Sequence, residues 1–163
     1  CVPLIKAWGT DAGTEVASLG IQVHGGMGYV EETPMPMLYR EAPLNSIWEG
    51  SGNVICLDIL RTLAREPMAG VALQAELEAA TGADRRYDAA LAAHFDRWPA
   101  VPEEGEARWF AERLAVLLAA SVLLRAGNAA VSDGWIATKV DGARGMVPGA
   151  VSGLDTAALI ARI

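Results

Sequence analysis

The sequence predicts an all-α fold, a helical bundle with additional helices toward its C-terminal end. Three observations lead there. Apolar residues make up 52% of the chain and are mostly alanine and leucine, which suit helices. Aromatic residues are only 6% and β-branched runs are scarce, so strand formers are few. Apolar positions recur at spacings of three and four, the period of one helix face. With 163 residues, the chain is long enough for one compact domain with a real core.

The elements follow in order. Ile5, Trp8, Ala12, Val16, Leu19 and Val23 form one apolar stripe, with Pro3 tolerated in the first helical turn. That helix should end near His24, because Gly25 and Gly26 follow. A loop is expected over 29–36, marked by Pro34 and Pro36, then a short helix over about 37–41. Small and capping residues over 45–53 suggest a turn into the next helix. Val54, Leu57, Leu60 and Leu63 continue it at spacing three, and Pro67 should follow its end.

Residues 68–80 are rich in alanine, leucine and glutamate and read as helix, broken by Thr81 and Gly82. Asp84 is placed to cap another helix reaching about Trp98. A loop with an acidic cluster, Glu103, Glu104 and Glu106, precedes the longest helix, expected over 106–128. A shorter helix over 129–139, a glycine-rich loop over 141–153 and a last helix from about Asp155 complete the chain. The division expected is 1–98 and 99–163, the second part being a helical tail of the same unit.

Charge and cysteine content exclude some functions. A net charge of −7 makes the chain a poor general binder of polyanions. Cys1 and Cys56 are too few for a disulfide framework and belong to no paired metal motif, so no metal site is expected. They read as reduced thiols of a cytoplasmic protein, with no signal peptide in view. The longest apolar run, 114–124, is too short to cross a bilayer and reads as a buried helix. The opening Cys1-Val2-Pro3, with no methionine, reads as a cut through a longer protein or as a processed terminus.

Two stretches carry more than packing. In Gln22-Val23-His24-Gly25-Gly26-Met27-Gly28-Tyr29, three glycines at a helix end let a backbone approach a ligand closely, although glycine is also the common helix terminator. In Ile47-Trp48-Glu49-Gly50-Ser51-Gly52-Asn53, a carboxylate stands between an indole and a glycine. Burial against the indole would raise its pKa, as a general base working near neutral pH requires. Gly50 would leave room for a substrate, and Ser51 and Asn53 offer hydrogen bonds to a polar ligand. The plain alternative is a helix start capped by Ser51 or Asn53, with Glu49 solvated.

In order and spacing, Gln22-x-x-Gly25-Gly26-x-Gly28-Tyr29, Tyr39-Arg40-Glu41-Ala42 and Ile47-Trp48-Glu49-Gly50-Ser51 resemble the acyl-CoA dehydrogenase family, in its C-terminal helical domain. The run from Leu38 through Asn53 is similar to the AidB-like branch, linked to DNA alkylation response and related to isovaleryl-CoA dehydrogenases. The tight match covers about 3–65; the rest resembles that branch's helical tail more loosely.

The resemblance implies an FAD-dependent oxidoreductase that dehydrogenates an acyl-CoA thioester between its α and β carbons. Glu49 falls on the catalytic base, which takes the α-proton while hydride passes to flavin N5. Trp48 and Gly50 fall on substrate contacts. Gln22, Val23, His24, Gly25 and Gly26 match a turn that reaches the FAD of a neighbouring subunit. Ser51 and Asn53 fall on further cofactor contacts, Asn53 being shorter than the glutamine common there. Arg40 and Glu41 are expected to be structural, as an ion pair anchoring the loop before Glu49. The implied partners are an acyl-CoA, an electron acceptor such as an electron-transfer flavoprotein, and further copies in a dimer or tetramer. The family's N-terminal helical and central β domains are missing from this sequence, so the isolated chain is expected to be inactive.

Two other functions compete. Arg61 and Arg65, one helical turn apart, would form part of a basic face for DNA, against a net charge of −7. Pairing with Asp58 or Glu66 is their plainer reading. The third reading is a non-catalytic helical oligomerisation module.

Overall fold

The structure is a computed structural model that describes residues 1–142 and 149–162. Among these residues every regular element is helical, as the composition requires. The α-helices are α1 (Val2–Leu4), α2 (Thr10–Val23), α3 (Gly26–Tyr29), α4 (Met35–Glu41), α5 (Gly52–Arg65), α6 (Pro67–Glu78), α7 (Arg85–Arg97), α8 (Ala107–Arg125), α9 (Ala129–Trp135) and α10 (Thr156–Ile160). Wider π turns occupy Ile5–Gly9 and Ile136–Val140, and tighter 3-10 turns occupy Ala42–Ser46 and Glu104–Glu106. By contacts the chain sorts into two compact units, one of residues 1–65 with 102–112, the other of 66–101 with 113–163. These units cut the chain elsewhere than the sequence division at 98.

In the first unit, α1, the π turn and α2 follow one another without a break. The helix stops at His24, as its glycines predict, and Gly25 turns the chain with φ of 58°. The apolar stripe is less covered than a core face would be. Ile5, Val16 and Val23 are exposed, although α2 rests on α4 and the following 3-10 turn. The expected loop over 29–36 is shorter. Gly26–Tyr29 winds a helical turn and α4 starts at Met35, with Pro36 accepted near its start.

On α5 the buried face is Ile55, Cys56, Ile59 and Leu60. The sequence stripe was offset from it: Val54 is exposed, and only Leu60 of that stripe is fully buried. Spacing four, Ile55 to Ile59 and Cys56 to Leu60, follows the helix more closely than spacing three. Leu4 is buried where α1 meets α5.

The second unit has the more continuous core. Leu77, Tyr87, Leu117 and Ile136 are almost wholly buried. The Tyr87 hydroxyl donates to the Leu77 carbonyl at 2.6 Å, and Ser121 donates to the Glu76 carbonyl at 2.6 Å. Both satisfy polar atoms that would be costly to bury alone. The apolar run over 114–124 lies in α8 and is buried along most of its length. The expected helix over 106–128 stops at Arg125, because Gly127 adopts φ of 79° and Asn128 caps a new helix by accepting from the Val131 N–H at 3.1 Å. Asp84 caps α7 as expected, accepting from the Arg86 N–H at 2.7 Å. Arg86 also reaches Asp133 at 2.7 Å. Asp155 caps α10. Of the expected glycine-rich loop, residues 143–148 lie outside the described residues.

Two stability predictions follow from the packing. A Cβ on Gly28 would collide with the Ile21 carbonyl oxygen and lie 2.9 Å from Ile21 Cα, both backbone atoms that cannot swing aside. Gly28→Ala should therefore cost about 1–3 kcal/mol in urea denaturation, the range for overpacking. Gly26→Ala, whose added Cβ meets nothing within 4 Å, should stay within about 0.5 kcal/mol of the parent.

The second concerns His94, buried on α7 beside Trp98. Burial, reinforced by the Arg113 charge, pushes its imidazole down to about 4 from 6.5. The unfolded chain then takes up this proton before the folded one does. The stabilising contribution is complete above pH 6.5 and drains away as pH falls toward 4. Urea denaturation at stepped pH should show a shallower acid loss for His94→Gln than for the parent; equal losses would contradict it.

Candidate functional site

The first unit holds two open grooves. One, of about 790 Å³, is floored by small residues of α2, Gly13 and Gly20, and bordered by His24, Glu41, Trp48 and Glu49. The other, of about 690 Å³, is bordered by Gln22, Tyr29, Glu31, Tyr39 and Arg40. The α2 helix contributes to both, because residues of different faces line each one.

The segment bearing Glu49 is built by hydrogen bonds and then by backbone torsion. In the 3-10 turn Ala42–Ser46, the Ser46 hydroxyl donates to the Pro43 carbonyl at 2.8 Å. The Leu44 carbonyl accepts from both the Ile47 and Trp48 N–H groups, at 3.0 and 3.2 Å. The chain then reverses through two left-handed residues, Glu49 at φ of 54° and Gly50 at φ of 106°. Ser51 restores helical pairing, its carbonyl accepting from the Ile55 N–H at 3.1 Å as α5 begins. Gly50 suits this conformation. Glu49 does not: it is the non-glycine residue with positive φ among those described, and such a conformation costs about 1–2 kcal/mol.

The candidate residues divide between the two grooves. Trp48, Glu49 and His24 come together on the first, whereas Gln22 borders the second. Val23, Gly25 and Gly26 are exposed, and added Cβ atoms on Gly25 and Gly26 would meet nothing within 4 Å. Gly50 faces inward, where a Cβ would lie 3.1 Å from Ile55 Cγ1. Ser51 is exposed. Asn53 is engaged: its side-chain oxygen accepts from Arg108 at 3.0 Å, and Arg108 also approaches Asp11 at 3.5 Å.

Two expectations need correction. Glu49 and Trp48 are both exposed, so these residues do not by themselves bury the carboxylate against the indole. Arg40 pairs with Glu31 instead of Glu41, through two hydrogen bonds of 2.8 and 3.1 Å. Those bonds hold the Glu31 carboxyl below its ordinary value and raise Arg40. The pair staples the 30–34 loop to α4, whereas Glu41 borders the first groove. Arg61 bonds Asp58 at 3.0 Å, as its plainer reading had it. Residues the sequence did not single out are Lys6, whose ammonium donates to the Asn45 carbonyl at 2.5 Å, and Arg108. Their partners lie 39 and 55 positions away, so no local pattern signals either one. Among the described residues no cluster of metal-ligating side chains occurs, and no helix is long and apolar enough to cross a membrane.

The torsion at Glu49 has a measurable consequence. Glycine relieves left-handed strain that alanine retains, so Glu49→Gly should be more stable than Glu49→Ala by about 1 kcal/mol in thermal or urea denaturation. An alanine variant as stable as the glycine variant would show that the residue is not held left-handed.

Residues 2–64 match the family model described as "Acyl-CoA dehydrogenase, C-terminal domain". The chain is 35% identical over 121 residues to the putative acyl-CoA dehydrogenase AidB of Escherichia coli (strain K12), covering 74% of this chain and 22% of that protein. It is 43% identical over 81 residues to the 3-methylmercaptopropionyl-CoA dehydrogenase of Ruegeria pomeroyi, covering 49% and 14%. It is 37% identical over 62 residues to the mitochondrial short-chain specific acyl-CoA dehydrogenase of Rattus norvegicus, covering 38% and 15%. The chain thus spans about a fifth or less of the length of these relatives. The helices and motifs of its first 64 residues, with these matches, make it a member of the acyl-CoA dehydrogenase family through that family's C-terminal domain.

Proposed function

We propose that this chain is the C-terminal part of an FAD-dependent acyl-CoA dehydrogenase in which Glu49 removes the α-proton of an acyl-CoA thioester. The observation that carries this reading is the left-handed backbone of Glu49 at the rim of a groove. A strained conformation at a non-glycine residue persists where surrounding structure holds it, and such positions concentrate at functional sites.

The chemistry suits the residues. A thioester α-proton is weakly acidic, so its removal needs a positioned carboxylate and hydrogen-bond donors on the carbonyl oxygen. In this reading the Glu49 carboxylate takes the proton and the Glu49 N–H donates to the carbonyl. Trp48 and Gly50 flank the acyl chain. Since Glu49 is exposed in this chain, the apolar cover over its carboxylate would come from bound substrate and from other segments of the protein.

The residues also fit a dinucleotide. Gln22 offers an amide at a groove edge, and the Gly25–Gly26 backbone stands exposed with no side chain to keep a ligand away. Ser51 adds a hydroxyl, and Asn53, its oxygen held by Arg108, keeps an amide N–H pair for a ligand. When bound, FAD would accept the β-hydrogen as hydride. Further copies of the chain, supplying the glycine turn to a neighbour's cofactor, and an electron acceptor such as an electron-transfer flavoprotein complete the proposal. Residues 1–163 alone are not expected to turn over acyl-CoA.

In the protein that carries this chain, Glu49→Gln should lower acyl-CoA dehydrogenation by at least about a hundredfold, the scale of a lost general base, while FAD content stays at the parent level. Absorbance of the flavin and reduction of an artificial acceptor measure both. Turnover retained by Glu49→Gln would refute the assignment.

A further inference from the structure

The π turn Ile5–Gly9 interrupts an otherwise continuous helix, and such wide turns redirect side chains that regular α-helix would place elsewhere. Lys6 lies in this turn. Its own carbonyl accepts from the Thr10 N–H and, at 2.6 Å, from the Thr10 hydroxyl, which fixes the backbone from which the side chain departs. The ammonium crosses to the 3-10 turn Ala42–Ser46 and donates to the Asn45 carbonyl at 2.5 Å. Asn45 is the residue after Leu44, whose carbonyl anchors the Ile47 and Trp48 N–H groups. Three residues separate the Lys6 contact at Asn45 from the strained Glu49. Lys6 also borders the groove on which Glu41 and Glu49 stand.

We infer that Lys6 is a positioning residue for Glu49: it clamps the turn that carries the acid, and its charge sets an ammonium in the groove that the two carboxylates border. The inference rests on the reading of Glu49 as the base. Charge-assisted bonds to a carbonyl are short and strong, and this one ties two segments 39 positions apart. A turn that is not clamped lets Glu49 relax from its left-handed conformation toward ordinary backbone, carrying the carboxylate away from the groove rim. Lysine is suited to the task because its donor sits at the end of a long stem and can be held by one acceptor. Arginine keeps the charge and the reach.

The test compares the parent protein with Lys6→Met, Lys6→Arg and Glu49→Gln, all carried in the whole protein. Two readouts are taken. Hydrogen exchange followed by mass spectrometry reports on residues 44–50, and steady-state kinetics with an acyl-CoA and an artificial acceptor report on turnover. Lys6→Met should speed exchange over 44–50 at least about tenfold, and lower kcat by about ten- to a hundredfold with little change in KM, as a misplaced reacting group does. Lys6→Arg should restore most of both. Unchanged exchange over 44–50 in Lys6→Met would overturn the clamp whatever Glu49 does. Faster exchange with kcat unchanged, or a loss of kcat that Lys6→Arg does not recover, would overturn the positioning role. Glu49→Gln separates the two ideas. If that variant turns over normally the base reading fails, while the exchange measurement still decides whether Lys6 holds the turn.

Discussion

The close approach of Gly28 to the backbone of Ile21 fixes where the chain folds back on its first long helix. No side chain fits between the two, so the turn after α2 closes tightly and α4 can lie along the helix it has just left. The two grooves of the first unit depend on that return. The groove bearing Glu49 exists because α4 and the 3-10 turn run beside the small residues Gly13 and Gly20 of α2. Gly25, at positive φ, supplies the reversal, and Gly28 supplies the close contact. The two glycines therefore act for different reasons, one conformational and one steric.

The Glu49 turn shows a second balance, between local cost and global need. Its left-handed backbone is unfavourable for a side-chain-bearing residue, and a glycine there would be easier to accommodate. The hydrogen bonds around Leu44, the Ser46 contact to Pro43 and the Lys6 bond to Asn45 hold the segment in place. The exposed apolar residues of this unit, Val16, Val23, Met27 and Trp48 among them, make the same point at larger scale. Their apolar surface stays uncovered by the elements of this chain. The second unit differs: its core is more continuous, and Asp84 and Asn128 cap α7 and α9.

How much of this was legible in the sequence depends on the range of the interaction. Local signals served well. Asp84, Asp155 and the glycines after His24 mark helix ends because caps and left-handed turns are chosen by one or two residues. The glutamate between Trp48 and Gly50 stood out for its chemistry, and the structure sets it on a groove. Interactions between distant positions were not legible. Nothing near Arg40 says that its partner is Glu31 and not the adjacent Glu41, nor that Arg108 will take the oxygen of Asn53. The offset of the α5 face has the same origin: apolar residues surround that helix, and only packing decides which of them are covered. The sequence left Glu49 open between burial against the indole and solvation; the chain leaves it exposed, because burial depends on which segments pack over a residue and not on an indole next in sequence.

A crystal structure of the whole protein with FAD and an acyl-CoA analogue tests the central claim most directly. The Glu49 carboxylate should lie on the substrate's α-carbon, at about the 3–3.5 Å of reacting groups, with Glu49 still in its left-handed conformation. A substrate α-carbon approached by a different acid, with Glu49 turned to solvent, would contradict it.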